Sequence, residues 1–159
     1  RCALFKCDLH NLKQTESLIP SVKKEFKTLD LLVNNASIFG KSNLHDETPQ
    51  HIQKYLSVNF LAPYALISAF AKHCKKGQII NILDTHISKN KTQHAAYVLS
   101  KKSLAQLSQL AAVELAPHIR VNAIAPGLIL PPKNKGDDYL DGLAQNIPLK
   151  RRGDVDHIT

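Results

Sequence analysis

Four short apolar runs recur along the chain, at residues 2–7, 30–33, 77–83 and 119–124, and the stretches between them carry apolar residues at helical spacing. That alternation predicts strand, helix, strand, helix, strand, helix, strand. It defines an α/β fold of the Rossmann-like, doubly wound kind: a parallel sheet joined by right-handed crossovers, with helices on both faces in three αβα layers. Residues 30–33 (Asp-Leu-Leu-Val) lack polar alternation, as expected of a strand covered on both faces. Ligands of such sheets bind beyond the carboxyl ends of the strands. Those ends carry Asp8 and Leu9, then Asn34, Asn35, Ala36 and Ser37, then Asp84, then Pro126 and Gly127, so four polar or turn-forming clusters converge on one edge.

Helix signals fill the intervals. Asn11 is placed to cap a first helix, with Gln14 three residues on, and Leu18, Val22 and Phe26 give it a buried stripe. Thr48-Pro49 starts a second helix running to about Lys72, with an interruption between Asn59 and Pro63. Pro63 has no N–H, so the Asn59 carbonyl four residues earlier loses its helical partner. A third helix spans 94–116, closed by Pro117, and another begins at Asp154. Residues 128–148 are polar and irregular, rich in Pro, Lys and Asp, and are expected to form a mobile substrate lid with little core of its own.

Composition narrows the function. With 159 residues, 43% of them apolar, the chain can build one cored domain over 1–159. The longest apolar run, 59–71, is too short for a bilayer and contains Pro63, and no signal-peptide pattern opens the sequence. Cys2, Cys7 and Cys74 lack metal-ligand spacing, and their odd number argues for reduced thiols in a cytoplasmic protein rather than a disulfide framework. The formal net charge of +8 suits an anionic ligand. Lys150-Arg151-Arg152 is the only run of three basic residues, so neither nucleic acid nor membrane is expected as a partner. The eight histidines show no metal-ligand spacing; His86, near Asp84, is placed either to touch substrate or, the favoured reading, as a solvated loop residue.

Tyr97 and Lys101, four residues apart on a helix, share one face. A nearby ammonium lowers a phenol's pKa and makes it a usable acid–base group near neutrality. Taken with Asn34-Asn35-Ala36 after a strand, Asn59, and Pro126-Gly127 after a strand, this order resembles the short-chain dehydrogenase/reductase family over essentially the whole chain. The run from Asn35 to Phe39, Asp84 where most of that family has Ser, and residues 111–117 are similar to the pteridine reductases and the bacterial dihydromonapterin and dihydrofolate reductases.

The resemblance implies an NADPH-dependent oxidoreductase that delivers hydride to a C=N bond of a pterin or dihydrofolate. Tyr97 would donate the proton, Lys101 would lower its pKa and hold the nicotinamide ribose, and the Asn59 main chain would hold a relay water. Asp84, acceptor-only when ionised, would receive N–H groups of a heterocycle or help relay a proton. Phe39 would stack on the pterin, and Ser37 would touch phosphates or pterin. Asn35 and Ala36 would line the adenosine path, Asp8 and Leu9 would meet the adenine, and Pro126, Gly127 and Leu128 would approach the nicotinamide amide. The helix bearing Tyr97 would pair with a second copy through Leu104, Leu107 and Ala111, in a homodimer or homotetramer, or bury them on its own sheet. The other readings are a short-chain reductase of a carbonyl substrate (3-oxoacyl, sugar or steroid) and a non-catalytic scaffold. The family's Gly-rich phosphate loop is absent: Gly40, Gly77, Gly127, Gly136, Gly142 and Gly153 form no G-x-x-x-G-x-G. The chain therefore reads as an internal piece of a longer protein, incomplete at both ends, and these residues alone are not expected to bind dinucleotide.

Overall fold

The computed structural model describes residues 1–88, 93–132 and 134–158, so position 133 of the expected lid and the terminal position 159 of the domain lie outside the described residues. The elements are α1 (Leu12–Phe26), β1 (Leu31–Asn34), α2 (Pro49–Leu56), α3 (Ala62–His73), β2 (Gly77–Ile82), α4 (Ala95–Glu114), β3 (Ile119–Ile124) and α5 (Asp137–Ala144). The strands form one parallel sheet in the order β1-β2-β3, a Rossmann-like arrangement. Both expected caps form: Asn11 accepts from the Gln14 N–H at 3.2 Å and Thr48 from the His51 N–H at 3.2 Å. The expected interruption is a π-helical turn, Ser57–Leu61, between α2 and α3.

Register places Leu32, Ile79 and Val121 side by side on one sheet face. That face packs against Ile19 of α1, Leu66 and Phe70 of α3 and Ala111 of α4 in one apolar cluster. A chain of buried amides ties the strands to α4: Asn34 Nδ2 donates to Asn81 Oδ1 at 2.8 Å, and Asn81 Nδ2 donates to Ser108 Oγ at 2.8 Å. Gly77 is required where β2 begins. Its φ is +154°, and a Cβ there would lie 2.7 Å from the Phe70 ring and 2.8 Å from the Asp30 carbonyl.

Several local expectations are corrected. Residues 2–7 form no strand, and Leu4 is 97% exposed, because no described strand pairs with them. β1 is not covered on both faces: Leu31 and Val33 stay 45% and 47% exposed opposite the helical layer. In α1 the buried residues are Thr15 and Ile19, with Leu18, Val22 and Phe26 only half-buried, because the helix leans on α3. On α4, Leu104 and Ala111 face the core, and the outward apolar residues are Leu99, Leu110 and Val113.

The 128–148 segment is not irregular throughout. It contains α5, which buries Leu140 and Ala144 at i and i+4 and opens with Asp137 and Asp138 at its positive end. Arg152 pairs with Asp137 and lies 3.5 Å from Asp141, and the Gly153 N–H donates to the Leu128 carbonyl at 2.9 Å, so the segment is tied at both ends. Helix formation at Asp154 is confined to a single 3-10 turn, Val155–His157. No described helix is long and apolar enough to cross a membrane.

Candidate active site

β2 ends at Ile82, and the next residues turn sharply because Asp84 accepts the backbone N–H of His86 on Oδ1 at 2.8 Å. The His86 ring Nδ1 also pairs with that oxygen. The other carboxylate oxygen accepts the Tyr97 hydroxyl at 2.8 Å. Tyr97 and Lys101 lie one turn apart on α4, both nearly inaccessible at 6% and 3%. The Lys101 ammonium donates to the Ile82 carbonyl at 2.7 Å and stands 5.9 Å from the Tyr97 ring centroid.

This geometry reverses one expectation. The Tyr97 phenol is pushed far up, not down, first by burial and then by its hydrogen bond to Asp84 and that carboxylate's charge. Burial also pushes Lys101 below the ordinary ammonium range, against the opposing attraction of Asp84. Burial raises the Asp84 carboxyl too, but the His86 backbone N–H, the Tyr97 hydroxyl and the His86 ring outweigh it, and Asp84 is held below the ordinary range. At neutral pH the site therefore holds a protonated phenol against an ionised carboxylate.

Two pH effects follow. In Asp84→Asn the phenol loses its anionic acceptor, so the Tyr97 titration moves down while remaining above an ordinary tyrosine. Phenolate absorbance against a Tyr97→Phe reference measures it, and an unchanged titration would exclude Asp84 as the cause. Asp84's contribution to stability is present above the ordinary carboxylate range and is lost as pH falls below about 4. The same substitution flattens the acid limb of the stability curve.

Asn59 lies at the π turn, fully buried. Its Oδ1 accepts the Ile38 N–H at 2.9 Å and the Ser37 hydroxyl at 3.2 Å. Its Nδ2 donates to the Ile38 carbonyl at 3.0 Å and to Ser100 Oγ at 3.0 Å. The side chain thus staples the loop after β1 to α4. The loop carries Phe39 over Tyr97, edge to face with centroids 4.8 Å apart, while His94 stacks on Phe39 at 4.7 Å. His94 is in turn tied through Nδ1 to the Gly40 carbonyl at 2.7 Å. Phe39 remains 63% exposed, a fixed aromatic surface beside the phenol.

Leu9, Asn35 and Ala36 line one cavity of about 210 Å³ at the carboxyl end of β1. Asp8 precedes Leu9 in the turn before α1, where its Oδ1 accepts the His10 N–H at 3.0 Å. Pro126 lies next to the Asp84 turn, its carbonyl accepting the Thr85 N–H at 3.3 Å. Gly127 needs no special conformation; a Cβ there would meet only Thr85, at 3.9 Å. Leu128 follows, held through its carbonyl to Gly153. The structure thus brings Asp84, Tyr97, Lys101, Asn59, Ser37 and Phe39 together, with the other candidates around the same sheet edge. Sequence reasoning missed Ser100 and His94; it set His86 beside Asp84 but read it as a solvated loop residue, although the Asp84-x-His86 spacing at a strand end was an available signal for the pairing.

A parallel sheet whose strand ends gather an ionised carboxylate, a buried phenol and an ammonium is the dinucleotide-fold class of α/β protein. The chain matches the enoyl-(acyl carrier protein) reductase family over residues 1–159 and belongs to the short-chain dehydrogenase/reductase family. It is 30% identical over 160 residues to an uncharacterised oxidoreductase of Methylorubrum extorquens, covering 96% of this chain and 64% of the relative. To galactitol 2-dehydrogenase of Agrobacterium fabrum it is 30% identical over 129 residues, covering 78% and 50%. The crystal structure of FolM alternative dihydrofolate reductase 1 from Brucella canis, complexed with NADP, superposes with a TM-score of 0.85 at 29% identity, covering 94% of this chain and 60% of that one. The chain thus spans between half and two thirds of the length of these relatives.

Proposed function

We propose that this chain carries the catalytic and substrate side of an NADPH-dependent reductase acting on the C=N bond of a pterin or dihydrofolate. The observation that carries the reading is the Tyr97 hydroxyl bonded to an ionised Asp84 beneath the exposed face of Phe39. An ionised carboxylate accepts and cannot donate. It suits the N–H and amino groups of a planar nitrogen heterocycle and offers nothing to a ketone oxygen. Phe39 supplies the stacking surface such a ring needs, worth about 0.5–1.5 kcal/mol beyond burial. NADP in the Brucella homologue supports the cofactor assignment.

The cavity at the end of β1 fits an adenosine end. Leu9, Asn35 and Ala36 line it, and Asp8 precedes Leu9 in the chain. Lys101, Ser37 and residues 126–128 would hold the ribose, phosphate and nicotinamide ends, and the bound cofactor supplies the hydride. Tyr97 keeps its proton on Oη until a more basic centre appears. The nitrogen that becomes anionic as hydride arrives at the neighbouring carbon is such a centre. Loss of that proton leaves a phenolate 2.8 Å from the Asp84 carboxylate, an unfavourable pair that draws a proton back and resets the site. Asn59 holds Ser37 and the Phe39 loop in place throughout. The 128–148 segment covers the substrate. A second copy packs on the groove of about 460 Å³ lined by Phe60, Tyr64, Leu99 and Leu110, and the three free thiols fit a cytoplasmic setting.

The test is NADPH oxidation by the full-length protein with pterins, dihydrofolate and a panel of ketones. Turnover of pterins is expected, and Phe39→Ala should raise KM for them by about tenfold while changing kcat less. Turnover of ketones alone would overturn the reading. The likeness to galactitol 2-dehydrogenase favours that second reading, a short-chain reductase of carbonyl substrates.

A further inference from the structure

His86 is not needed to close the turn after β2 by its ring, since its backbone N–H already satisfies Asp84 Oδ1 at 2.8 Å. Yet the ring doubles that contact through Nδ1, while Tyr97 occupies the other oxygen. An ionised carboxylate only accepts, so Nδ1 carries a hydrogen, and Nε2 is left as the site that gains or loses a proton. The His86 side chain is 28% exposed, so solvent reaches it, whereas Tyr97 is buried. Among the described residues, the titratable groups facing Asp84 are His86 from its own turn and Tyr97 and Lys101 from α4. Thr85, beside it, donates its N–H to the Pro126 carbonyl of the strand-end loop and accepts the Ser88 hydroxyl on its own carbonyl.

We infer that His86 is the positioning residue of the Tyr97–Asp84 pair: it fixes one carboxylate oxygen so that the other faces the phenol, and its charge state sets how firmly Asp84 holds the Tyr97 proton. This rests on the reading that Tyr97 supplies the proton. With His86 cationic, part of the carboxylate's charge is neutralised and the phenol releases its proton more readily. With His86 neutral, the full carboxylate charge opposes formation of the phenolate. The chain from solvent to phenol is thus imidazole, carboxylate, hydroxyl, and only the imidazole ordinarily titrates between about pH 5 and 8.

The test uses the full-length protein, saturated with NADPH and whichever substrate it reduces, with kcat followed from pH 5 to 9. Wild type should show kcat rising as pH falls through an inflection in that window. His86→Asn keeps a donor at the place of Nδ1 but cannot titrate; it should lose the inflection and stay within about threefold of the wild-type high-pH plateau. His86→Ala removes the ring donor and should fall about tenfold below that plateau, so that Asn rescues what Ala loses. An unchanged inflection in His86→Asn overturns the inference. Nitrogen-15 NMR of the imidazoles reads the same pair without turnover. His86 should be protonated at Nδ1, and that tautomer preference should weaken in Asp84→Asn. A preference that does not change overturns the inference; one that changes supports it even where pterins are not reduced, an outcome that would overturn only the substrate reading.

Discussion

Replacing Tyr97 with Phe lowers kcat of the full-length protein by about 10²- to 10⁴-fold, the usual contribution of a positioned general acid. The substitution deletes one hydroxyl whose described partner is Asp84 Oδ2, so the loss falls on proton transfer. NADPH binding should be retained within about threefold, because the ring and Lys101 remain in place. Residual activity should no longer show any phenol titration. The measurement is steady-state NADPH oxidation paired with cofactor binding by fluorescence. A kcat within tenfold of wild type would remove Tyr97 from the chemistry. The direction of the Tyr97 shift makes the result sharper: a phenol held this firmly contributes little as an anion, and its value lies in the proton it keeps.

Truncating Asn59 to Ala should destabilise the protein by about 2–4 kcal/mol, read as a lower urea midpoint at unchanged slope. The amide serves four partners at once, and its loss strands the Ile38 N–H and leaves the Ile38 carbonyl only a long contact with the Ser37 hydroxyl at 3.4 Å, while the Ser100 hydroxyl keeps its bond to the Tyr97 carbonyl at 2.7 Å. Each buried polar group left unpaired costs about 1–3 kcal/mol. Against a typical total of about 5–15 kcal/mol this is a large fraction. Asn59→Asp, nearly the same size, separates shape from chemistry: it still accepts from Ile38 N–H but sets a carboxylate against the Ile38 carbonyl, and should be about as damaging. A loss below about 1 kcal/mol in both would show that the Phe39 loop is held by other contacts. Those other contacts exist, since Ser42 pairs with Gln93, Ala95 and Ala96, and they explain why the loop need not melt outright in the variant.

The parts of the fold decided by local chemistry were legible. Asn11 and Thr48 cap where a short acceptor precedes a helix, β2 and β3 follow from their apolar runs, and the missing N–H of Pro63 marked an interruption near Asn59, which lies at Ser57–Leu61. What required partners was not. Residues 2–7 have strand composition, but a strand exists only beside another. The Leu140 and Ala144 stripe of α5 was hidden in a polar stretch because two buried residues suffice for so short a helix. For Tyr97, spacing along the chain pointed to Lys101 as the governing charge. The nearest charge is instead Asp84, thirteen residues away in sequence and 2.8 Å away in space, while the ammonium is engaged by the Ile82 carbonyl.

The π turn between α2 and α3 has a consequence beyond Asn59. One extra residue in a helix rotates everything after it by about 100° relative to everything before. The first half of this rod therefore presents Ile52 and Tyr55 to Ala96, Tyr97 and Val98, and the second half presents Leu66 and Phe70 to α1 and the sheet. A straight helix of the same composition could face only one of these two clusters. The inserted residue acts as a phase shifter, letting a single rod brace both the structural core and the Tyr97 phenol, so that removing one residue there would detach the candidate site from the framework without altering a single side chain in either.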